Sequence, residues 1–207
     1  MIKLRSIYRL LLLLAVSLNF HSLSAQVRIK GSLWDNGNEA ECNWYFKDHL
    51  ACMELISKEP NGTSVHTRIV LNAQTKQMTI STTTTNGVNC LTVSADSIRS
   101  NSNSSPRFIP SKEEKIFDGF GSCKKVQSKS HEQESLLFYF EHNQINLGQF
   151  SDFLKNDTGF TWLSQNTTHG FPVQSITVDA LGNLQRSYLA ISIVESVEEG
   201  VFEVECK

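Results

Sequence analysis

The sequence predicts an α+β fold, a mostly antiparallel sheet with one amphipathic helix. Three observations predict it. Short runs of alternating apolar and polar residues recur along the chain, as in Val65, Thr67, Ile69 and Leu71. Turn-forming residues separate them: Asp35-Asn36-Gly37-Asn38 is a strong turn signal and Asn86-Gly87 the best hairpin signal. One stretch, Leu147, Phe150, Phe153 and Leu154, places apolar residues at helical spacing behind Asn146, a good N-cap.

Residues 1–25 have the three parts of a secretory signal. Lys3, Arg5 and Arg9 are the basic region, Leu10 to Leu18 the apolar core, and Ser22, Ser24 and Ala25 the small residues a signal peptidase needs. The apolar core is roughly nine residues, too short to span a bilayer. Cleavage after Ala25 leaves Gln26 first; cleavage after Ser24 is the alternative. The expected mature chain, 26–207, is one β-rich domain with no transmembrane segment, periplasmic or secreted. No cysteine follows the apolar core closely enough to carry a lipid. Losing three basic residues and no acidic one takes the net charge from −2 to −5. That balance argues against nucleic acid and against an anionic membrane surface as partners.

Taken in order, Val27 to Trp34 reads as a strand ending at Asp35-Asn36-Gly37-Asn38. Glu41 to Phe46 and Leu50 to Ile56 read as a hairpin, with Cys42, Trp44 and Phe46 on one face. Further strands are expected around Val65–Leu71, Gln77–Ser81 and Val88–Val93. The stretch 96–110, rich in Ser and Asn, reads as an exposed loop. Gly119 and Gly121 on either side of Phe120 mark a sharp bend or bulge in mid-chain. Leu136, Phe138 and Phe140 alternate with Leu137 and Tyr139, so that strand is apolar on both faces and central. Leu184 to Val194 is a long strand, with Leu189, Ile191 and Ile193 on one face and Tyr188, Ala190 and Val194 on the other. Phe202 and Val204 close the chain, facing together.

Five cysteines, Cys42, Cys52, Cys90, Cys123 and Cys206, remain after export. Export permits disulfides, and the odd number leaves at least one thiol free or paired between chains. A three-residue loop at Phe46-Lys47-Asp48 would set Cys42 opposite Cys52, within disulfide reach. A two-residue loop slips the register and sets Cys42 against Met53. No C-x-x-C or H-x-x-x-H spacing, G-x-S-x-G motif or P-loop is present. No metal, cofactor or catalytic group is therefore expected. Asp48 and Glu54 read as solvated charges, and His66 as a surface residue on its strand.

Gly119-Phe120 with Ser122-Cys123-Lys124-Lys125, then Gly170-Phe171-Pro172, a turn at Gly182 and a terminal Phe202-x-Val204 resemble a family of exported bacterial proteins. That family carries a domain of unknown function and is commonest in the Bacteroidetes. Two departures stand out: Phe138-Tyr139-Phe140 occupies a tryptophan position, and the chain ends at Glu205-Cys206-Lys207 without a proline-glycine tail. The family is similar to the lipoprotein-carrier (LolA-like) fold. The resemblance implies a curved, mostly antiparallel sheet, an incomplete barrel, packed on one or two helices. It also implies a non-enzymatic protein holding a lipid or lipoprotein-like ligand in a sheet–helix cavity. The residues expected to line that cavity are Leu136, Phe138, Phe140, Leu147, Phe150, Phe153 and Leu154. The alternative is a structural or interaction protein of the cell envelope with no small-molecule ligand.

Overall fold

The computed structural model describes residues 26–59, 62–97, 108–129, 133–154, 170–195, 200–204 and Cys206. The expected leader 1–25 and most of the expected loop 96–110 lie outside them. Among the described residues, eleven strands form one antiparallel sheet: β1 (Val27–Asp35), β2 (Asn38–Lys47), β3 (Leu50–Lys58), β4 (Ser64–Asn72), β5 (Gln77–Thr84), β6 (Gly87–Ser94), β7 (Ile109–Phe117), β8 (Gly121–Lys129), β9 (Gln133–Phe140), β10 (Phe171–Asp179) and β11 (Leu184–Val194).

The spatial order is β6-β5-β4-β3-β2-β1-β11-β10-β9-β8-β7. Two meanders therefore meet where the first and last strands pair, and β6 and β7 are the open edges. The inner face curls on itself, and one apolar cluster draws on strands of both meanders: Ile29, Trp44, Met53, Leu71, Met78, Phe138, Phe171 and Tyr188. At its centre Phe171 meets Trp44, Phe46 and Tyr188 edge-on, with centroids 5.8, 5.6 and 6.1 Å away.

This corrects the expected α+β class. The sheet is single and unclosed, and among the described residues it is not packed on one or two helices. The expected helix is a 3₁₀ turn, Leu147–Phe150, running into one α-helical turn, α1 (Ser151–Leu154). Asn146 does cap it, accepting from the Gly148 backbone N–H at 3.1 Å. Leu147, Phe150 and Phe153 lie three residues apart, a spacing that 3₁₀ turns also place on one face. The two turns plug one end of the curled sheet. Gln149 Nε2 donates to the Asp48 carbonyl at 2.8 Å, and Lys76 pairs with Asp152 at 3.7 Å.

A bulge also corrects the parity expected for β11. The register with β1 shifts between Lys30 and Gly31, leaving Ile191 unpaired. Ile193 then packs inward with Tyr188 and Ala190, while Val194 is exposed. Gly31 is required here: an added Cβ would lie 2.8 Å from the Leu189 carbonyl oxygen and from the Tyr188 ring. Phe202 and Val204 form no strand; residues 200–204 are a turn and a short extended piece laid on the outer face.

Candidate functional site

Of the residues expected to line a cavity, Leu136, Phe138, Phe140, Leu147, Phe150 and Phe153 belong to the inner apolar cluster. Phe150 is 0 %, Phe153 1 % and Leu147 3 % accessible, with Phe140 and Phe138 nearly as buried. Leu136 is partly buried against the same core, and the Leu154 side chain lies outside the described residues. Phe138 and Phe140 meet Phe117 and Phe120, from either side of the mid-chain bend, at 5.5 and 5.1 Å. That bend is the hairpin joining β7 to β8. A side chain facing a void large enough for water keeps accessible surface, and Phe150 has none.

The cysteine expectation is corrected too. β2 and β3 do form a hairpin, but its loop is Asp48-His49, with Asp48 at φ 48°, and Lys47 pairs with Leu50. Cys42 therefore faces Leu55, and Cys52 faces Tyr45. The two thiols point to opposite faces and both are free and buried. Burial pushes each pKa up to about 12, which leaves them poor nucleophiles. The disulfide that forms is Cys90–Cys206, Cα–Cα 5.5 Å. Its partners are 116 residues apart in sequence, so no local spacing could have revealed it.

The polar cluster on the outer face is the one that local reading missed. Cross-strand register lines up Asn43, Glu54, Arg68, Ser81 and Cys90 in one row from β2 to β6. The adjoining row is Tyr45, Cys52, Val70 and Thr79. Glu54, expected to be solvated, is buried at the centre. Tyr45 Oη donates to its Oε2 at 2.9 Å, and Arg68 donates to Oε1 at 3.1 Å. His66 Nε2 lies 2.8 Å from Oε1. Asn43 Nδ2 reaches Oε2 at 3.5 Å and Glu41 at 3.1 Å, and Lys30 pairs with Glu41 at 3.3 Å. Burial alone raises the Glu54 pKa, but the hydrogen bonds from Tyr45, Arg68 and His66 together outweigh it and hold the carboxyl below its usual value. Burial, then the bond to Glu54, pushes Tyr45 well above its usual range. The signal available in sequence was parity: on two paired strands, β3 and β4, alternation brings Glu54, His66 and Arg68 to one face.

Chemically the cluster is closed on itself. The carboxylate that could act as a base already accepts from Tyr45, Arg68 and Asn43 and contacts His66. Among the described residues, no group of three or more His, Cys, Asp or Glu side chains is placed to hold a metal ion.

No family model matches the chain, and no curated protein matches it. Similar solved structures include an uncharacterized conserved protein from Thermus thermophilus, 11 % identical over 89 % of this chain and 88 % of that one, TM-score 0.44. MucB is 11 % identical over 87 % of this chain and 57 % of its own, TM-score 0.37. A DUF1329 family protein from Desulfovibrio piger is 9 % identical over 92 % and 94 %, TM-score 0.35. These are partial likenesses of shape, and no function passes across them. No helix among the described residues is long and apolar enough to cross a membrane.

Proposed function

We propose that the chain is an exported, non-enzymatic protein of the cell envelope that works through the outer surface of its sheet. The observation that supports this reading is burial: of the aromatic set expected to hold a ligand, Phe150 and Phe153 are almost wholly buried and Phe138 and Phe140 largely so, as in a filled interior. Function then falls to surfaces and edges. The leader-like residues 1–25 support export, and so does Cys90–Cys206, because a disulfide persists in an oxidising compartment. In this reading the mature domain is 26–207.

The second reading, an apolar or amphiphilic ligand such as a lipid or lipoprotein-like chain, has one observation in its favour. Among the described residues, the two turns at Leu147–Leu154 cover that end of the aromatic interior, and their displacement would uncover Phe138 and Phe140. Native mass spectrometry of protein recovered from the envelope or medium tests both readings. The expected mass is that of a chain starting at Gln26 or Ala25, with no adduct. A stoichiometric amphiphile on that chain would favour the ligand reading, and a full-length membrane-embedded chain would overturn export.

A further inference from the structure

The C-terminal residues 200–204 cross the outer face and end at a disulfide. Val201 is buried against Tyr45, Cys52 and Val70, with Phe202 and Val204 partly buried beside it. The turn is held by the Glu203 N–H donating to the Gly200 carbonyl at 3.0 Å. This strap joins no strand. Among the described residues its hydrogen bond to the sheet runs from Arg68 Nη1 to the Glu203 carbonyl at 3.5 Å, an exposed contact. Its far end is fixed covalently, Cys206 to Cys90 on the edge strand β6. The strap thus lies over the Tyr45–Cys52–Val70 row and is anchored at the end of the Glu54–Arg68–Ser81–Cys90 row.

We propose that Cys90–Cys206 is a thiol–disulfide latch, and that its reduction frees the strap and uncovers the apolar patch of Tyr45, Cys52 and Val70 while the sheet stays folded. The reductant is a dithiol: it gives two electrons and two protons, the Cys90–Cys206 bond breaks to two thiols, and the dithiol closes to its own disulfide. The sheet survives because its eleven strands are held by their own ladders and by an inner core that the strap does not touch. The strap alone depends on the bond, since among the described residues three side chains and one long hydrogen bond are its other ties. Local opening of so lightly held a segment is far easier than unfolding the sheet. The inference does not rest on whether the interior holds a ligand.

The chain carries its own reporters. Cys52 lies under the strap on the outer face, whereas Cys42 and Cys123 lie in the inner core, and all three are fully buried. The mature, oxidised protein is treated with dithiothreitol under native conditions, pulse-alkylated and peptide-mapped. Reduction should raise the Cys52 labelling rate by about tenfold or more and leave Cys42 and Cys123 protected. Cys206→Ser should reproduce this without reductant. Continued protection of Cys52 after reduction would overturn the latch. So would labelling of all three thiols together, which would make the disulfide a clamp on the whole fold, and so would free Cys90 and Cys206 before reduction.

Discussion

Phe171→Ala is expected to cost about 3–5 kcal/mol of unfolding free energy. Phe171 is fully buried; it touches Trp44 and Phe46 across the seam between the two meanders and Tyr188 on its own side of it. Its removal deletes the transfer energy of a whole ring and leaves a void. The neighbours cannot collapse into that void freely, because Trp44 and Phe46 come from β2 and Tyr188 from β11, each fixed by its own ladder. Domains of this size are stable by only about 5–15 kcal/mol, so the variant would lose a large share of the total. Urea denaturation followed by far-UV circular dichroism measures it. A loss below about 1 kcal/mol would mean that the two meanders do not share this core.

Glu54→Ala is the second large effect, at about 1–3 kcal/mol, because it leaves the buried Tyr45 hydroxyl without its acceptor and the part-buried Arg68 without its carboxylate. Glu54→Gln keeps an acceptor for Tyr45 and isolates the charge. The sign of its pH dependence follows from the lowered pKa. Between that value and the usual 4.5 the unfolded chain binds more protons than the folded one, so stability rises with pH there. The contribution of Glu54 is therefore fully present above about pH 4.5 and is lost as pH falls through the folded value. The difference in stability between the parent and Glu54→Gln should shrink on acidification through that window. The parent's remaining acid sensitivity has a source in Glu41, whose carboxyl is also held down, chiefly by Asn43. A difference independent of pH would show that Glu54 is not ionised in the folded cluster.

Much of the local structure was legible because it is set by single residues. Asn36-Gly37 gives a hairpin with both residues at positive φ, and Asn146 caps its turn. The alternation on β4 and β9 places their apolar residues where the structure has them. What was not legible depends on the relation between distant elements. A hairpin loop at Asp48-His49 instead of one to two residues earlier changes every partner on β2 and β3, moving Cys42 from Cys52 to Leu55. One unpaired residue, Ile191, inverts the faces of the end of β11. The apolar stripe at Leu147–Leu154 fits a 3₁₀ turn as well as a longer helix, and it led to a sheet–helix fold where the sheet itself supplies most of the core. Glu54 looked solvated because one strand shows only its own alternation. Its burial comes with the side chains that β2 and β4 bring to either side of it, Tyr45, Asn43, His66 and Arg68.

Saturable binding of a fluorescent amphiphile, N-phenylnaphthylamine, to the mature oxidised protein after unfolding, lipid removal and refolding bears most directly on the filled interior. With Phe150 and Phe153 sealed in the core, titration should give no saturable signal above that of a folded protein lacking an apolar cavity. A one-to-one isotherm, weakened when Phe138 or Phe140 is replaced by a polar residue, would contradict the filled interior and return the function to a ligand held inside the sheet.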